Sequence, residues 1–510
     1  MKQTGSDPVS RNWGHGWGQV RDLTPSFVAI VAGAAAVGAF PPFDFWPLAF
    51  LALAVLTHLW LRADSARGAY LLGWGFGLGF FGAGVSWVYV SLHRFGGMPA
   101  ALAALATLLF CAFLALFPAL VGALQARSAI SPEKRALLVI PALWTLVEWL
   151  RSWVLTGFPW LTTGYAATDT PLAGLAPIAG VHGMSLAVAF CAGLLWCLAY
   201  GPARWRAALG LAVIFTTGAA LRLVVWSEPA GAPFSASLLQ GNIAQDLKFD
   251  PARFARTLDT YARLAEASRA RLVVLPETAL PRFLDTIDPD DLARLDALAR
   301  RNGGDVLLGV PVRTAPGVYF NSMISLGNSP RQIYHKVHLV PFGEFIPAGF
   351  AWVNQILAFP LSDFSRGPLE QAPLALAGER VAVNVCYEDA FGDEIRRQLP
   401  AATLLVNASN VAWFGDSIAP AQHLQIARMR SLETSRMLLA ATNSGITAVI
   451  DRDARVLAQL PPFTAGRLDA SVRGYSGATP YVRFGDWPAL LVCLLLLGGA
   501  VVVARRRSRR

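Results

Sequence analysis

The chain has 510 residues, of which 54% are hydrophobic and only 15% are charged. It is too long for one ordinary domain and too apolar for a soluble protein, so the composition indicates a membrane protein. The net charge of +10 would suggest nucleic-acid binding if it covered a soluble surface. Much of the excess lies instead in short loops and in the tail 505–510, a distribution typical of membrane topology, and no nucleic-acid partner is expected.

The first half of the chain is a succession of apolar segments after a polar N-terminal segment, residues 1–24, that does not resemble a cleaved signal peptide. Each segment has roughly the length of a membrane-spanning helix. They predict a membrane domain over 25–230 with about seven transmembrane helices, at 25–40, 43–61, 69–92, 98–124, 136–154, 172–200 and 206–226.

The second half begins with a segment of soluble composition, 231–475, which we expect to be a separate domain. A final transmembrane helix is predicted within 476–504, and a basic cytoplasmic tail follows at 505–510. This order predicts a soluble domain held between two membrane anchors.

Lysine and arginine residues in the short loops predict the orientation. If the N-terminal segment is cytoplasmic, the opposite side keeps only Arg94 and Arg151 in its short loops. The cytoplasmic side then holds most basic loop residues: Arg62, Arg67, Arg127, Lys134, Arg135, Arg204 and Arg206. Seven spans before the soluble domain place that domain outside the cytoplasm.

The soluble domain alternates helical and strand patterns. Helices are predicted at 251–271, 291–301 and 423–442 from apolar residues at helical spacing. Strands are predicted at 272–275, 305–310, 317–326, 332–340, 380–386 and 402–408. This order indicates α/β layers around one or two sheets.

Three polar residues, Glu277, Lys336 and Cys386, lie at or beside predicted strand ends, where the active-site groups of α/β sheets gather. Glu277 could take the thiol proton of Cys386, and the charge of Lys336 could stabilise a thiolate and an oxyanion. Taken singly, each also fits a plainer interpretation: a packed cysteine, a strand stop and a solvated lysine. Because like charges disfavour a thiolate, the adjacent Glu388 and Asp389 are expected to keep Cys386 protonated.

Neither a metal nor a disulfide is expected in the soluble domain. Cys386 is the single cysteine there, so it has no partner thiol within the domain. His335 and His338 flank Lys336, but no third ligand accompanies them at a spacing typical of zinc sites.

The sequence motifs around these residues resemble those of the carbon–nitrogen hydrolase (nitrilase) superfamily. They are LPE at 275–277, HKVHLVPFGE at 335–344 and VCYE at 385–388. That superfamily uses a glutamate, a lysine and a cysteine in this order. With its apolar segments and further words such as FPWLTTGYA (158–166), the whole chain resembles bacterial apolipoprotein N-acyltransferases. The resemblance implies a multi-span α-helical membrane domain plus a nitrilase-like α/β extracytoplasmic domain, an αββα sandwich.

The resemblance also implies roles for further residues. Glu344 matches a second essential glutamate that orients Lys336 or the attacking amine, and Phe249 stands where the family usually carries a tryptophan. The residues expected to shape the site or bind substrate are Glu344, Tyr387, Glu388, Phe249, Asn410 and Trp413. For Asn410 and Trp413, core packing is an open alternative.

The activity implied by the resemblance is acyl transfer in two steps. An acyl chain from a membrane phospholipid, expected to be phosphatidylethanolamine, forms a thioester on Cys386 and passes to the α-amino group of a diacylglyceryl apolipoprotein. No cofactor is implied, and a monomer is expected on the periplasmic side of the bacterial inner membrane. Two alternatives stay open: a membrane-tethered amidase that uses water, and a non-catalytic protein that binds lipoproteins.

The apolar segment 348–364 lies between two polar stretches. We expect it to rest on the membrane and to gate lipid entry, with Trp352 and Leu357 as the gate residues. A cover over the core of the soluble domain is the alternative.

Overall fold

The computed structural model describes residues 24–347, 349 and 363–508. The predicted gate residues Trp352 and Leu357 and most of the cytoplasmic N-terminal segment lie outside the described residues. The first part of the described chain is helical, and the second part is built on two β-sheets.

The predicted apolar segments form helices that are shorter and more interrupted than predicted. They are α1 (Thr24–Ala36), α2 (Pro47–Arg62), α3 (Ala66–Gly84), α4 (Ala100–Leu114), α5 (Leu116–Ala126), α6 (Ile140–Arg151), α7 (Ala176–Tyr200) and α8 (Arg204–Leu221).

Within the described residues, three helical stretches are long and apolar enough to cross a membrane: Ala100–Ala126, Pro171–Tyr200 and Trp487–Arg506. A fourth candidate is α3 together with Val88–Phe95, which is bent away from it by 58°. The helices at 24–39 and 47–62 are apolar but shorter. The eight spans therefore remain a prediction.

Close packing in the helical part depends on glycines in α1 and α3. A Cβ atom at Gly79 would overlap the carbonyl oxygen of Ile30 in α1, and one at Gly33 would overlap the carbonyl oxygen of Phe76 in α3. Small residues allow two helix backbones to approach this closely in an apolar environment. Gly82, one turn further along α3, faces open space instead.

The second part of the chain contains two six-stranded sheets. Its elements in chain order are β1 (Ser227–Gln240), α9 (Phe254–Glu266), β2 (Leu272–Val274), α10 (Pro289–Arg301), β3 (Asp305–Ala315), β4 (Val318–Gly327), β5 (Ile333–His335), β6 (Leu374–Leu376), β7 (Glu379–Val385), β8 (Leu404–Ser409), α11 (Ala419–Thr434), β9 (Leu438–Thr442), β10 (Ala448–Ile450), β11 (Val456–Gln459), β12 (Gly466–Gly477) and α12 (Trp487–Ser508).

The strand order is β12-β1-β2-β3-β4-β5 in one sheet and β11-β10-β9-β8-β7-β6 in the other. Inward-facing residues of the two sheets, among them Val274 and Val383, form one apolar core. Helices α9 and α10 pack on the outer face of the first sheet, and α11 packs on that of the second. These four layers confirm the predicted αββα sandwich.

Two of the predicted elements differ from the structure by more than their ends. The predicted helix 423–442 ends at Thr434, because Ser435 has left-handed backbone angles (φ 52°, ψ 47°), and Leu438–Thr442 is instead the buried strand β9. A fully buried strand is uniformly apolar and cannot be told from a buried helix by its pattern. The predicted strand 332–340 is limited to Ile333–His335, because the next residues turn toward the functional site.

The helical part and the sandwich contact each other through buried polar groups. Gln422 of α11 accepts hydrogen bonds from the indole nitrogens of Trp87 (3.2 Å) and Trp160 (2.7 Å). At a break in α7, the Val181 N–H donates to the Glu433 carboxylate at 2.7 Å. These bonds fix the sandwich on the membrane helices.

The Gly79 contact yields a test of the helical packing. Gly79→Ala should destabilise the protein by about 1–3 kcal/mol because α1 and α3 must separate. Gly82→Ala, in the same helix, should be neutral or slightly stabilising, since alanine favours helix and meets no neighbour. Thermal unfolding in detergent measures both, and equal melting temperatures for the two variants would contradict the close-packing argument.

Candidate active site

Glu277 lies three residues after β2, a central strand that pairs with β1 and β3. Its side chain is buried, and both carboxylate oxygens accept hydrogen bonds. Oε1 accepts from the side-chain amide of Asn321 at 2.7 Å and from Lys336 Nζ at 3.1 Å, and Oε2 accepts from the backbone N–H of Asn410 at 2.9 Å. Burial alone would raise the pKa of Glu277, but Lys336, Lys248 and these donors lower it. The group is therefore a carboxylate, able to accept a proton.

Lys336 follows β5 and is only 1% exposed. Its Nζ lies 3.1 Å from Glu277 Oε1 and 2.9 Å from the carboxylate of Glu344. Burial opposes the charge, but the two carboxylates raise the pKa of Lys336 well above its ordinary value. Lys336 is thus a permanent cation at the centre of the cluster.

Cys386 is the first residue after β7, and it begins a short helical turn, Cys386–Ala390. Its backbone has a positive φ of 55°, a strained conformation for a non-glycine residue that is frequent at functional sites. Burial raises the pKa of the thiol well above its usual value, and Glu277 and Glu344 add to this effect while Lys336 opposes it. The thiol is protonated at rest.

The sequence predicted a protonated thiol but attributed it to the wrong groups. Glu388 does not set the charge of the thiol; its carboxylate is directed into a ring of hydrogen-bond donors. It accepts from the backbone N–H groups of Val337, His338 and Val385 and from the Tyr334 hydroxyl. Glu388 thus ties the loop that carries Lys336 to the turn that carries Cys386.

Asp389, the other carboxylate beside the thiol, is fully buried. It lies 3.3 Å from His423 Nε2. Although burial lowers the pKa of His423, its contacts with Asp389 raise it above the usual value. The pair lies against the backbone of the nucleophile turn, since His423 Nε2 is also 3.3 Å from the Cys386 carbonyl oxygen.

Glu344 and Asn410, two further residues of the predicted site, lie in the cluster. Both carboxylate oxygens of Glu344 lie 2.9 Å from Lys336 Nζ, and Oε2 also accepts the Val340 N–H at 2.8 Å. Asn410 contributes its backbone N–H to Glu277, while its side chain bonds Gln245 at 2.7 Å.

The three predicted aromatic residues are distributed around this cluster. Tyr387 is directed toward the first part of the chain, where its hydroxyl donates at 3.0 Å to the carbonyl oxygen of Gly157, in the connection that follows α6. Trp413 packs against Phe95, and Phe249 is half-buried beside Lys248. Tyr387 and Trp413 therefore join the site to the helical part of the chain.

Sequence reasoning missed two residues of the cluster, Asn321 and Lys248. The Asn321 amide donates to both carboxylates, at 2.7 Å to Glu277 and 2.8 Å to Glu344. Lys248 donates from Nζ to the Glu277 carbonyl oxygen at 3.1 Å. The one available signal for Asn321 was a polar residue inside an otherwise buried strand; Lys248, in an irregular loop, gave none.

The two histidines beside Lys336 contact other groups. His335 Nδ1 lies 2.7 Å from the Ser322 hydroxyl, and His338 Nδ1 lies 2.9 Å from Glu394 while its ring stacks on Phe391.

Comparison with known proteins matches both parts of the chain. Residues 32–194 match the model of the apolipoprotein N-acyltransferase N-terminal domain, and residues 235–481 match the carbon-nitrogen hydrolase model. Apolipoprotein N-acyltransferases of Nitrosomonas europaea and Methylococcus capsulatus are 50% and 45% identical to this chain. These alignments cover 90% and 91% of this chain and 93% and 94% of the relatives.

The chain belongs to the apolipoprotein N-acyltransferase family. Among solved structures, a carbon-nitrogen hydrolase from Helicobacter pylori is 19% identical, with a TM-score of 0.37 over 51% of this chain and 94% of that one. An amidase from Nesterenkonia is 18% identical, with a TM-score of 0.36 over 50% of this chain and 95% of that one. The two family models and the relatives of 45–50% identity confirm the resemblance of the whole chain to this acyltransferase family.

The donor ring around Glu388 yields a prediction for this acyltransferase. Glu388→Gln should destabilise the fold by about 2–4 kcal/mol, because the new NH₂ group faces N–H and O–H donors. Glu394→Gln is the matched control, since that carboxylate is partly exposed and bonds only His338 among the described residues; it should cost less than about 1 kcal/mol. Melting temperatures in detergent measure the stability of both variants. Equal decreases for Glu388→Gln and Glu394→Gln would contradict the tethering role of Glu388.

Proposed function

We propose that this acyltransferase moves an acyl chain from a membrane phospholipid to the α-amino group of the N-terminal S-diacylglyceryl cysteine of a lipoprotein, through a thioester on Cys386. The observation that carries the proposal is a buried glutamate–lysine–cysteine site whose nucleophile turn is bonded, through Tyr387, to the segment that follows the apolar helix α6. A phosphatidylethanolamine donor and a monomeric enzyme are part of the same proposal.

In the first half-reaction, Glu277 takes the proton of the Cys386 thiol as the sulfur attacks the ester carbonyl carbon. The Lys336 ammonium stabilises the tetrahedral oxyanion. When the intermediate collapses, the C–O bond of the ester breaks, and the lysophospholipid oxygen leaves with the proton held by Glu277. The acyl chain remains on sulfur as a thioester.

In the second half-reaction, the α-amine of the lipoprotein attacks the thioester carbonyl. Glu277 accepts a proton from the amine, the C–S bond breaks, and the sulfur of Cys386 recovers its proton from Glu277. The products are an N-acylated lipoprotein and the resting enzyme. Glu344 supports both steps by holding Lys336 at 2.9 Å.

The burial of the site supports acyl transfer over hydrolysis. Glu277, Lys336 and Cys386 are each less than one-tenth exposed, and a thioester formed among them meets little bulk water. An acceptor anchored in the same membrane instead reaches the site at high effective concentration.

The location of the site supports a membrane-bound donor and acceptor. The Tyr387 ring lies 6.4 Å from that of Trp160, and Gln422 bonds both Trp87 and Trp160. The charge distribution of the loops supports a periplasmic catalytic domain in the bacterial inner membrane.

The thioester can be detected directly. Purified enzyme incubated with phospholipid and no acceptor should gain the mass of one acyl chain, sensitive to hydroxylamine and located on Cys386 by peptide mapping. Cys386→Ala should show no adduct, whereas Cys197→Ala, which removes a buried membrane-helix thiol, should retain it. An adduct that survives Cys386→Ala would refute the assignment of the nucleophile.

The acceptor separates this function from a tethered amidase. A diacylglyceryl lipopeptide with a free N-terminus should discharge the adduct and acquire the acyl chain, and the same peptide with an acetylated N-terminus should not. Release of free fatty acid at equal rates with both peptides would show that water is the acceptor. Mass spectrometry of the peptide and the lipid fraction measures both outcomes.

A further inference from the structure

Lys248 is a second buried lysine beside the proposed reacting groups. It lies in the irregular segment between β1 and α9, and it is only 3% exposed. Its Nζ donates to the backbone carbonyl oxygen of Glu277 at 3.1 Å. Within the described part of the chain, that oxygen is its one hydrogen-bond acceptor.

This pairing is poor for a buried ammonium. A protonated lysine has three N–H donors, and burial of a charge is costly unless the charge is paired and its donors are used. Lys336 meets that requirement with two carboxylates, whereas Lys248 has one neutral oxygen. Among the described residues, Lys248 therefore acts on the cluster through its one bond to the Glu277 backbone and through its charge.

The charges of the cluster balance only when Lys248 is counted. Lys336 is shared between the carboxylates of Glu277 and Glu344, which leaves one excess negative charge. A protonated Lys248 cancels it, and its charge lowers the pKa of Glu277. Burial lowers the pKa of Lys248 to about 8, and the charge of Glu277, together with that of Cys386 when it ionises, opposes this effect.

We propose that Lys248 is a positioning residue of the acyl-transfer site: its ammonium fixes the Glu277 turn and balances the negative charge that moves from Glu277 to sulfur and then to the ester oxygen as Cys386 attacks. This inference rests on the proposed function. No proton leaves Lys248 during the cycle; the thiol proton passes to Glu277 and then to the leaving oxygen. The field of Lys248 stabilises the ionised sulfur and the oxyanion relative to the resting thiol.

The protonation state of Lys248 should determine how the acylation rate depends on pH. Below about pH 8 the ammonium is present and supports acylation; as the pH rises through that value the charge and its support are lost. The groups facing it are Glu277 and Cys386, with Lys336 and Glu344 behind them. Lys336 keeps its proton through this range because its pKa is raised.

The first test compares Lys248→Met with Lys248→Arg in single-turnover acylation by phospholipid. At pH 7, Lys248→Met should form the Cys386 adduct about tenfold more slowly, and Lys248→Arg should stay within about threefold of wild type. Between pH 8 and 9.5 the wild-type rate should fall, while the arginine variant, whose charge persists, should not. If Lys248 had a purely structural role, Lys248→Arg would not change the fall of the acylation rate between pH 8 and 9.5.

The second test measures the reactivity of the Cys386 thiol in the absence of acyl transfer. Alkylation of Cys386 by iodoacetamide, followed by peptide mapping, should be about tenfold slower in Lys248→Met at a given pH, because loss of the cation raises the thiol pKa. Lys134→Met is the control for loss of a lysine; Lys134 lies in the exposed turn Pro132–Lys134, outside the site, and should leave both rates unchanged.

Each outcome bears on one proposal. Unchanged alkylation and acylation in a folded Lys248→Met protein would overturn the role of Lys248, and so would an arginine variant whose alkaline limb matches wild type. If Lys248→Met fails to fold, the pH profile of Lys248→Arg decides. If wild type forms no adduct at all, the proposed function fails, and the alkylation rates still decide the effect of Lys248 on the thiol.

Discussion

The burial of the Lys336 ammonium between two carboxylates is the constraint on which the rest of the site depends. Removing three charges from water costs several kcal/mol per ion unless nearly every lone pair and proton finds a partner. Asn321 supplies a donor to each carboxylate, and the Asn410 backbone supplies another to Glu277. These partners come from β4 and from the ends of β5 and β8, so the cluster forms only when both sheets have closed on each other.

The nucleophile turn is linked to this cluster indirectly, through the hydrogen bonds of Glu388. Glu388 accepts from two N–H groups of the loop that carries Lys336 and from the N–H of Val385 at the end of β7, so one buried carboxylate links that loop to the nucleophile turn. The next residue back, Tyr387, bonds the helical part of the chain. Tyr387 therefore connects the turn that begins at Cys386 to the first part of the chain.

The sequence predicted the architecture because its signals are local. Apolar runs, short β-branched strands and the three polar residues at strand ends are each visible within a few residues of chain. The interior errors have a common physical cause. Leu438–Thr442 is buried on both sides, so its apolar pattern fits helix and strand equally, and only pairing with β8 and β10 decides it.

The sequence could predict those site residues whose side chains suggest chemistry by their type alone. A cysteine, a lysine and a glutamate beside strand ends suggest chemistry on their own, whereas Asn321 acquires its role only from two carboxylates 23 and 44 residues away. The cause of the raised thiol pKa was misassigned for the same reason. Adjacency in sequence placed Glu388 next to the sulfur, but the backbone turn directs its carboxylate toward donors on another loop.

A protonated thiol at rest is consistent with a site that must act only when a lipid is present. In a dry site a permanent thiolate would require a dedicated cation, and Lys336 is already shared between two carboxylates. Transfer of the thiol proton to Glu277 leaves the total charge of the cluster unchanged and moves negative charge from oxygen to sulfur. The ester carbonyl then receives that charge as it becomes an oxyanion, so attack requires no net burial of new charge. The reaction is thus favoured by the presence of the acyl donor itself, and water, which could hydrolyse the thioester, is not needed to balance any step.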